Sequence, residues 1–117
     1  MTVIHWQRLE GAGVLLGGVA LYVLLGPEFG WWAIAIFLLP DLSFAGYAAG
    51  PRVGAAVYNA AHLYACGAVL MAVGVGVASP VLVGLGALWL AHVGFDRLLG
   101  YGLKHDTDFK HTHMGDL

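Results

Sequence analysis

Four apolar runs with short polar or Gly-Pro punctuation organise this chain. The first covers about 9–25 and stops at Gly26-Pro27. The second covers about 31–49, is interrupted at Pro40-Asp41 and closes at Gly50-Pro51. The third covers about 53–77, and Ser79-Pro80 opens a fourth that runs to about residue 100. Glycine followed by proline ends a helix because proline cannot supply the next backbone N–H and glycine accepts the turn that follows. A helix needs about 20 residues to cross a hydrocarbon layer about 30 Å thick, and each run comes close to that length. The pattern predicts an all-α integral membrane four-helix bundle, one domain over 1–117. The links are a few residues long, which predicts up-down-up-down topology. The tail over 105–117 is polar and is expected outside the hydrocarbon.

Composition points the same way. The chain is 60% hydrophobic and 10% charged, with a mean hydropathy of +0.80. A soluble domain carries roughly 25% charged residues, so lipid is the simpler solvent. Arg8, Leu9 and Glu10 precede the first run and no small-residue cleavage site follows it, so that run reads as a retained helix. The net charge of −2 comes with no basic patch, which argues against nucleic acid as a partner. The single cysteine, Cys66, excludes a disulfide framework within the chain and reads as a small packed hydrophobe.

The basic residues orient the bundle. Arg8, Arg52, Arg97, Lys104 and Lys110 all fall at one end of the four runs, and the other end has Glu28 and no Lys or Arg. The positive-inside rule then puts both termini in the cytoplasm. Trp31 and Trp32 suit the outer interface and Trp6 the inner one. The chain has 18 glycines. Gly13 with Gly17, and Gly46 with Gly50 and Gly54, have the spacing that lets helices approach closely in lipid or join copies into an oligomer.

The ionisable residues cluster. At about 1.5 Å per residue, His62 lies roughly 14 Å from the cytoplasmic edge, with His92 roughly 18 Å and Asp41 about 15 Å from the opposite edge. In a core of about 30 Å these depths nearly coincide, and Asp96 is one turn nearer the cytoplasm. A charge at the bilayer centre costs at least about 2.5–3.5 kcal/mol, so these groups should face inward. His92 and Asp96 share a helix face at i, i+4, and Asn59 and His62 share one at i, i+3. Imidazole and carboxylate together suit a divalent metal such as zinc, iron or manganese. Asp41, His62, His92 and Asp96 are the candidate ligands. Arg52, Arg97 and Lys104 are candidates for binding an anion at the cytoplasmic mouth, and Tyr58, Asn59 and Tyr101 for orienting these groups. The same residues also suit a purely structural network in which Asp41 or Asp96 pairs with Arg52 or Arg97 and His62 and His92 donate hydrogen bonds. His105, His111 and His113 add a histidine-rich tail that reads as solvated. No phosphate-binding loop and no Gly-x-Ser-x-Gly is present.

Several strings resemble one family of small bacterial membrane proteins. They are Arg-Leu-Glu-Gly (8–11), Pro-Asp-Leu-Ser (40–43), Gly-Tyr-Ala-Ala-Gly-Pro-Arg-Val-Gly-Ala (46–55), Tyr-Asn-Ala-Ala-His (58–62) and Trp-Leu-Ala-His-Val-Gly-Phe-Asp-Arg-Leu-Leu-Gly-Tyr-Gly-Leu-Lys (89–104), with Phe-Lys-His-Thr-His-Met-Gly (109–115) near the end. The family is domain of unknown function 4260. The resemblance spans nearly the whole chain and implies a four-helix, multi-pass protein of the bacterial inner membrane. It implies no activity. More loosely, Pro-Asp in one helix and histidines in later ones resemble the membrane-bound metal-dependent hydrolases, although their fuller histidine pattern is missing here.

Three functional readings follow. The first is a metal-binding membrane protein that hydrolyses a lipid-like or phosphorylated substrate. The second is an oligomeric transporter or channel linked to protons or cations, and the third a membrane scaffold whose polar cluster fixes helix register.

Overall fold

The computed structural model of the chain describes residues 1–116. It is all-α apart from a small hairpin in the tail. The helices are α1 (Val3–Leu25), α2 (Trp32–Leu38), α3 (Pro51–Ala61), α4 (Tyr64–Gly76) and α5 (Pro80–Leu99). A 3₁₀ segment, Leu39–Ala49, continues α2, and strands β1 (His111–Thr112) and β2 (Gly115–Asp116) pair antiparallel.

Helix α1 starts six residues earlier than its apolar run. Thr2 caps it: the Thr2 hydroxyl accepts from the His5 N–H at 3.4 Å, and His5 Nδ1 accepts from the Thr2 N–H at 3.1 Å. This is a capping box with histidine in the role usually taken by Glu or Gln. Helix α5 opens on Ser79, whose hydroxyl accepts from the Leu82 N–H at 3.2 Å. It ends at Gly100, whose φ of 93° is left-handed, a conformation that glycine adopts without strain.

The second run changes pitch at Pro40. Proline has no N–H to offer the Ile36 carbonyl, and the Leu39 N–H takes that acceptor instead, which starts the 3₁₀ pattern. Eleven residues is long for 3₁₀ geometry, which usually lasts three or four.

The third run departs most from expectation. It is two helices, α3 and α4, bent by 42° across His62 and Leu63. No glycine or proline causes the break. Tertiary bonds hold it open instead, and every carbonyl freed there has a donor. Cys66 Sγ donates to Ala60 O at 2.7 Å, Trp89 Nε1 to Ala61 O at 2.7 Å, and Arg97 Nη2 to His62 O at 3.0 Å. Lipid tolerates irregular backbone only where such partners exist.

Three helical stretches are long and apolar enough to cross a membrane, Val3–Leu25, Trp32–Ala49 and Pro80–Leu99, and the bent pair α3–α4 makes four if it counts as one span. Helix α5 is the axis, with Ala87, Ala91 and Val93 fully enclosed. Helices α1 and α4 pack on either side of it through glycine. A Cβ on Gly94 would stand 2.6 Å from Leu15 N, and one on Gly67 would stand 2.7 Å from Gly86 O. Gly13 and Gly17, whose spacing suggested close approach, have nothing within 4 Å of an added Cβ. Burial is inverted relative to a soluble protein. Leu16 is 70% exposed and Val75 65%, while His62 and Arg97 are 0% and 5%. Apolar residues outward and ionisable residues inward is the arrangement that lipid selects.

Candidate metal centre

Four side chains from three parts of the fold meet where the bent helix pair faces α5. Asp41 comes from the 3₁₀ segment, His62 from the break after α3, and His92 and Asp96 from one face of α5. One ligand atom from each lies within 4.8 Å of all the others. His62 Nε2 is 3.3 Å from Asp41 Oδ1 and 3.4 Å from Asp96 Oδ2. His92 Nε2 is 3.1 Å and 3.3 Å from the same two oxygens. Ligands about 2.0–2.2 Å from a tetrahedral zinc ion stand about 3.3–3.6 Å apart. The four nitrogen–oxygen separations are close to four of the six edges of such a tetrahedron, and all four ligand atoms lie within 4.8 Å of one another.

Hydrogen bonding fixes which nitrogen of His62 faces the centre. His62 Nδ1 lies 2.8 Å from the Tyr58 carbonyl oxygen, which can only accept, so Nδ1 carries the proton. In the neutral ring Nε2 is then a lone pair aimed at two carboxylate oxygens. Lone pairs converge like this only around positive charge, which is a proton on the ring or a cation among the four groups. Asp96 Oδ2 is buried and makes no hydrogen bond among the described residues, although two ring nitrogens surround it. A histidine that binds metal through one nitrogen usually donates the other N–H to a carbonyl or carboxylate, and His62 has that arrangement. His92 does not, because its Nδ1 is buried without a partner among the described residues. Packing holds the rings. Tyr58 stacks on His62 with centroids 3.8 Å apart and planes 8° apart, and Phe37 meets His92 edge-on at 5.3 Å.

The centre opens on a cavity of about 550 Å³ lined by Asp41, Phe44, Tyr58, Asp96, Tyr101, Lys104 and Phe109. The Asp41 side chain is 53% exposed and the Asp96 side chain 10%, so one carboxylate faces the opening while the other three groups are enclosed.

The expected anion-binding residues separate. Lys104 lines the cavity and is 5% exposed. Burial pushes its ammonium below the ordinary lysine range. Arg97 is buried beside the centre, but its guanidinium donates to the carbonyls of His62 and Tyr101, each at 3.0 Å. Arg52 is exposed and lies outside the cavity lining. Neither arginine forms an ion pair with Asp41 or Asp96 among the described residues, so of the structural network the arginine–carboxylate bridges do not form, whereas His62 Nε2 and His92 Nε2 do lie at hydrogen-bonding distance from Asp41 Oδ1. The Asn59 side chain hydrogen-bonds Lys104 and not the four ligand side chains. Its Nδ2 donates to Lys104 O at 2.8 Å and its Oδ1 accepts from the Lys104 N–H at 2.6 Å. Tyr101 lines the cavity.

A family model described as a domain of unknown function, DUF4260, matches residues 4–117. The chain belongs to that family. The match takes in all four converging residues and the tail that covers them, so the DUF4260 unit is the whole site-bearing fold. No curated protein and no solved structure matches the chain.

Sequence reasoning passed over two kinds of residue here. Phe109 is the lone aromatic in a polar tail, which was its only signal. Trp89 sits within an apolar run, and nothing local marks it as the donor to a broken helix.

Proposed function

We propose that this protein is a multi-pass protein of the bacterial inner membrane that holds a divalent metal ion with Asp41, His62, His92 and Asp96. The metal would serve hydrolysis of a lipid-like or phosphorylated substrate. The observation that carries this reading is the set of four nitrogen–oxygen separations of 3.1–3.4 Å around one point, with His62 turned by its Nδ1 bond to Tyr58 so that Nε2 faces it. Zinc, iron and manganese all suit two imidazoles and two carboxylates.

The centre is open on the Asp41 side, which gives water and a substrate access to it from the cavity. A divalent ion held by these four residues would supply an acidified water and polarise the oxygen of the bond to be broken. Asp41, the exposed carboxylate, is the group placed to accept the proton that the attacking water gives up in ester hydrolysis, and to return it to the departing oxygen. Tyr58 and the Tyr58 carbonyl keep the His62 ring in place throughout.

The membrane arrangement that goes with this reading is four crossings, with α3 and α4 forming one broken span and both termini cytoplasmic. Arg8 Nε donates to Leu98 O at 2.8 Å, so the start of α1 lies beside the end of α5 and their basic residues share one end.

Metal analysis of the purified protein tests the function. One divalent ion per chain is expected in the wild type, and loss of it in His62→Ala and His92→Ala. No bound ion in any form, after supplementation with zinc, iron and manganese in turn, overturns the reading. The helix break at the site supports a second reading, cation transport by an oligomer, because broken helices at buried charges also build ion pathways. Metal-dependent flux into proteoliposomes, combined with an oligomeric state in lipid, would select it.

A further inference from the structure

The chain leaves α5 through Gly100 and returns over the cavity. Over the cavity it is anchored at Lys104, whose backbone Asn59 holds from both sides at 2.8 and 2.6 Å. Lys104 also bridges Thr112, and the His105 N–H donates to His111 O at 2.7 Å. These bonds tie down the base of a loop over residues 105–110, and Phe109 sits within that loop. Its ring meets Tyr47 and Tyr58 edge-on, with centroids 5.4 and 5.9 Å apart.

Lys104 is nearly enclosed and forms no ion pair among the described residues. Its Nζ instead stands 3.9 Å from the centre of the Phe109 ring and 4.9 Å from that of Tyr58. A buried ammonium normally has an anion beside it, and a ring face is a weaker substitute. Charge balance sharpens the point, and it rests on the metal-centre reading. Two carboxylates neutralise a divalent ion, so Lys104 leaves the loaded cavity with one positive charge. Phe44, Tyr101 and Phe109 give the same cavity an apolar wall. A net positive floor beside aromatic walls suits a ligand with an oxyanion at one end and apolar carbon next to it.

We propose that Lys104 is the recognition point for the oxyanion of a phosphate monoester, and that Phe109 is its gate, covering the ammonium until the oxyanion takes its place. Asn59 is the positioning residue that aims Lys104 into the cavity. The gate moves with the loop while the anchored base stays, so recognition needs no helix rearrangement.

The test uses the full chain in phosphatidylcholine nanodiscs, with metal content recorded for every sample. Inorganic phosphate is titrated calorimetrically into the wild type, Lys104→Gln and Phe109→Ala. Removing a competing cation–π contact should tighten phosphate by roughly 2- to 30-fold in Phe109→Ala. Lys104→Gln should weaken it about tenfold or more, while both variants keep the wild-type metal content. Dioleoyl phosphatidic acid placed in the discs is the second arm. Competition with phosphate assigns the site to a membrane-borne head group, and lack of competition assigns it to a soluble phosphate ester. Weaker phosphate binding in Phe109→Ala, or unchanged binding in Lys104→Gln, overturns the proposal. The metal readings separate the two failures: metal-free preparations count against the centre, and metal-loaded ones indifferent to Lys104 count against the gate.

Discussion

His62 is held twice by Tyr58: its Nδ1–H donates to the Tyr58 carbonyl at 2.8 Å, and its ring lies flat on the Tyr58 ring at 3.8 Å. The two contacts fix the orientation of the imidazole, so Nε2 faces Asp41 and Asp96 before anything binds. A ligand already in position loses little entropy on binding, which favours tight metal affinity.

On the metal-centre reading, that preorganisation would make metal binding visible as stability. A ligand present at 100 times its Kd stabilises the folded state by about 2.7 kcal/mol. Thermal unfolding in detergent should shift upward in the wild type when metal is added at that excess. Asp96→Asn and His92→Ala should show little or no shift. An equal shift in His92→Ala would show that the ion binds elsewhere.

Arg97 should matter to stability more than to charge. Its guanidinium satisfies the carbonyls of His62 and Tyr101. Arg97→Gln leaves at least one buried acceptor unpaired, which costs about 1–3 kcal/mol. Arg97→Lys should recover only part of the loss, since one ammonium does not reproduce the planar fork. Denaturant titration checks the first effect. Metal affinity should also fall, because the carbonyl that Arg97 holds belongs to a ligand residue.

Glycines of equal appearance in the sequence should respond in opposite ways. Gly94→Ala places a Cβ 2.6 Å from the Leu15 backbone nitrogen, and such overpacking costs about 1–3 kcal/mol. Gly13→Ala and Gly17→Ala meet nothing within 4 Å and should be neutral or raise helix stability by up to about 1 kcal/mol. Loss of a dimer in the Gly13 and Gly17 variants would show instead that this face joins two copies.

The tail should loosen in acid. His113 Nδ1 accepts from the Leu103 N–H at 2.8 Å, and partial burial, then the charge of Arg97, push its pKa below the ordinary 6.5. A folded pKa below the unfolded one gives stability that is complete above about 6.5 and falls as pH drops through the folded value. Amide exchange at Leu103 should therefore quicken relative to its intrinsic rate between pH 8 and pH 5. His113→Ala should remove that pH dependence. A wild-type tail equally protected across the range would rule out His113 as its anchor.

The sequence alone pointed to lipid and named the four residues that converge. Long apolar runs with little charge favour lipid, whatever the tertiary arrangement. Counting residues from the run ends placed Asp41, His62 and His92 at one depth, because helical rise is a local property. Rise says nothing about rotation, however. A helix in lipid is apolar on its packed and exposed faces alike, so the pattern does not show that Gly94 faces a neighbour while Gly13 faces outward. Nor does any local signal break the third run at His62. Arg97, Trp89 and Cys66 hold that break open, and two of these belong to another helix. The break itself brings the His62 ring to Asp96. Only the tertiary structure could bring the four ligand atoms to one point and lay Lys104 and Phe109 against Tyr58, because each joins segments far apart in the chain.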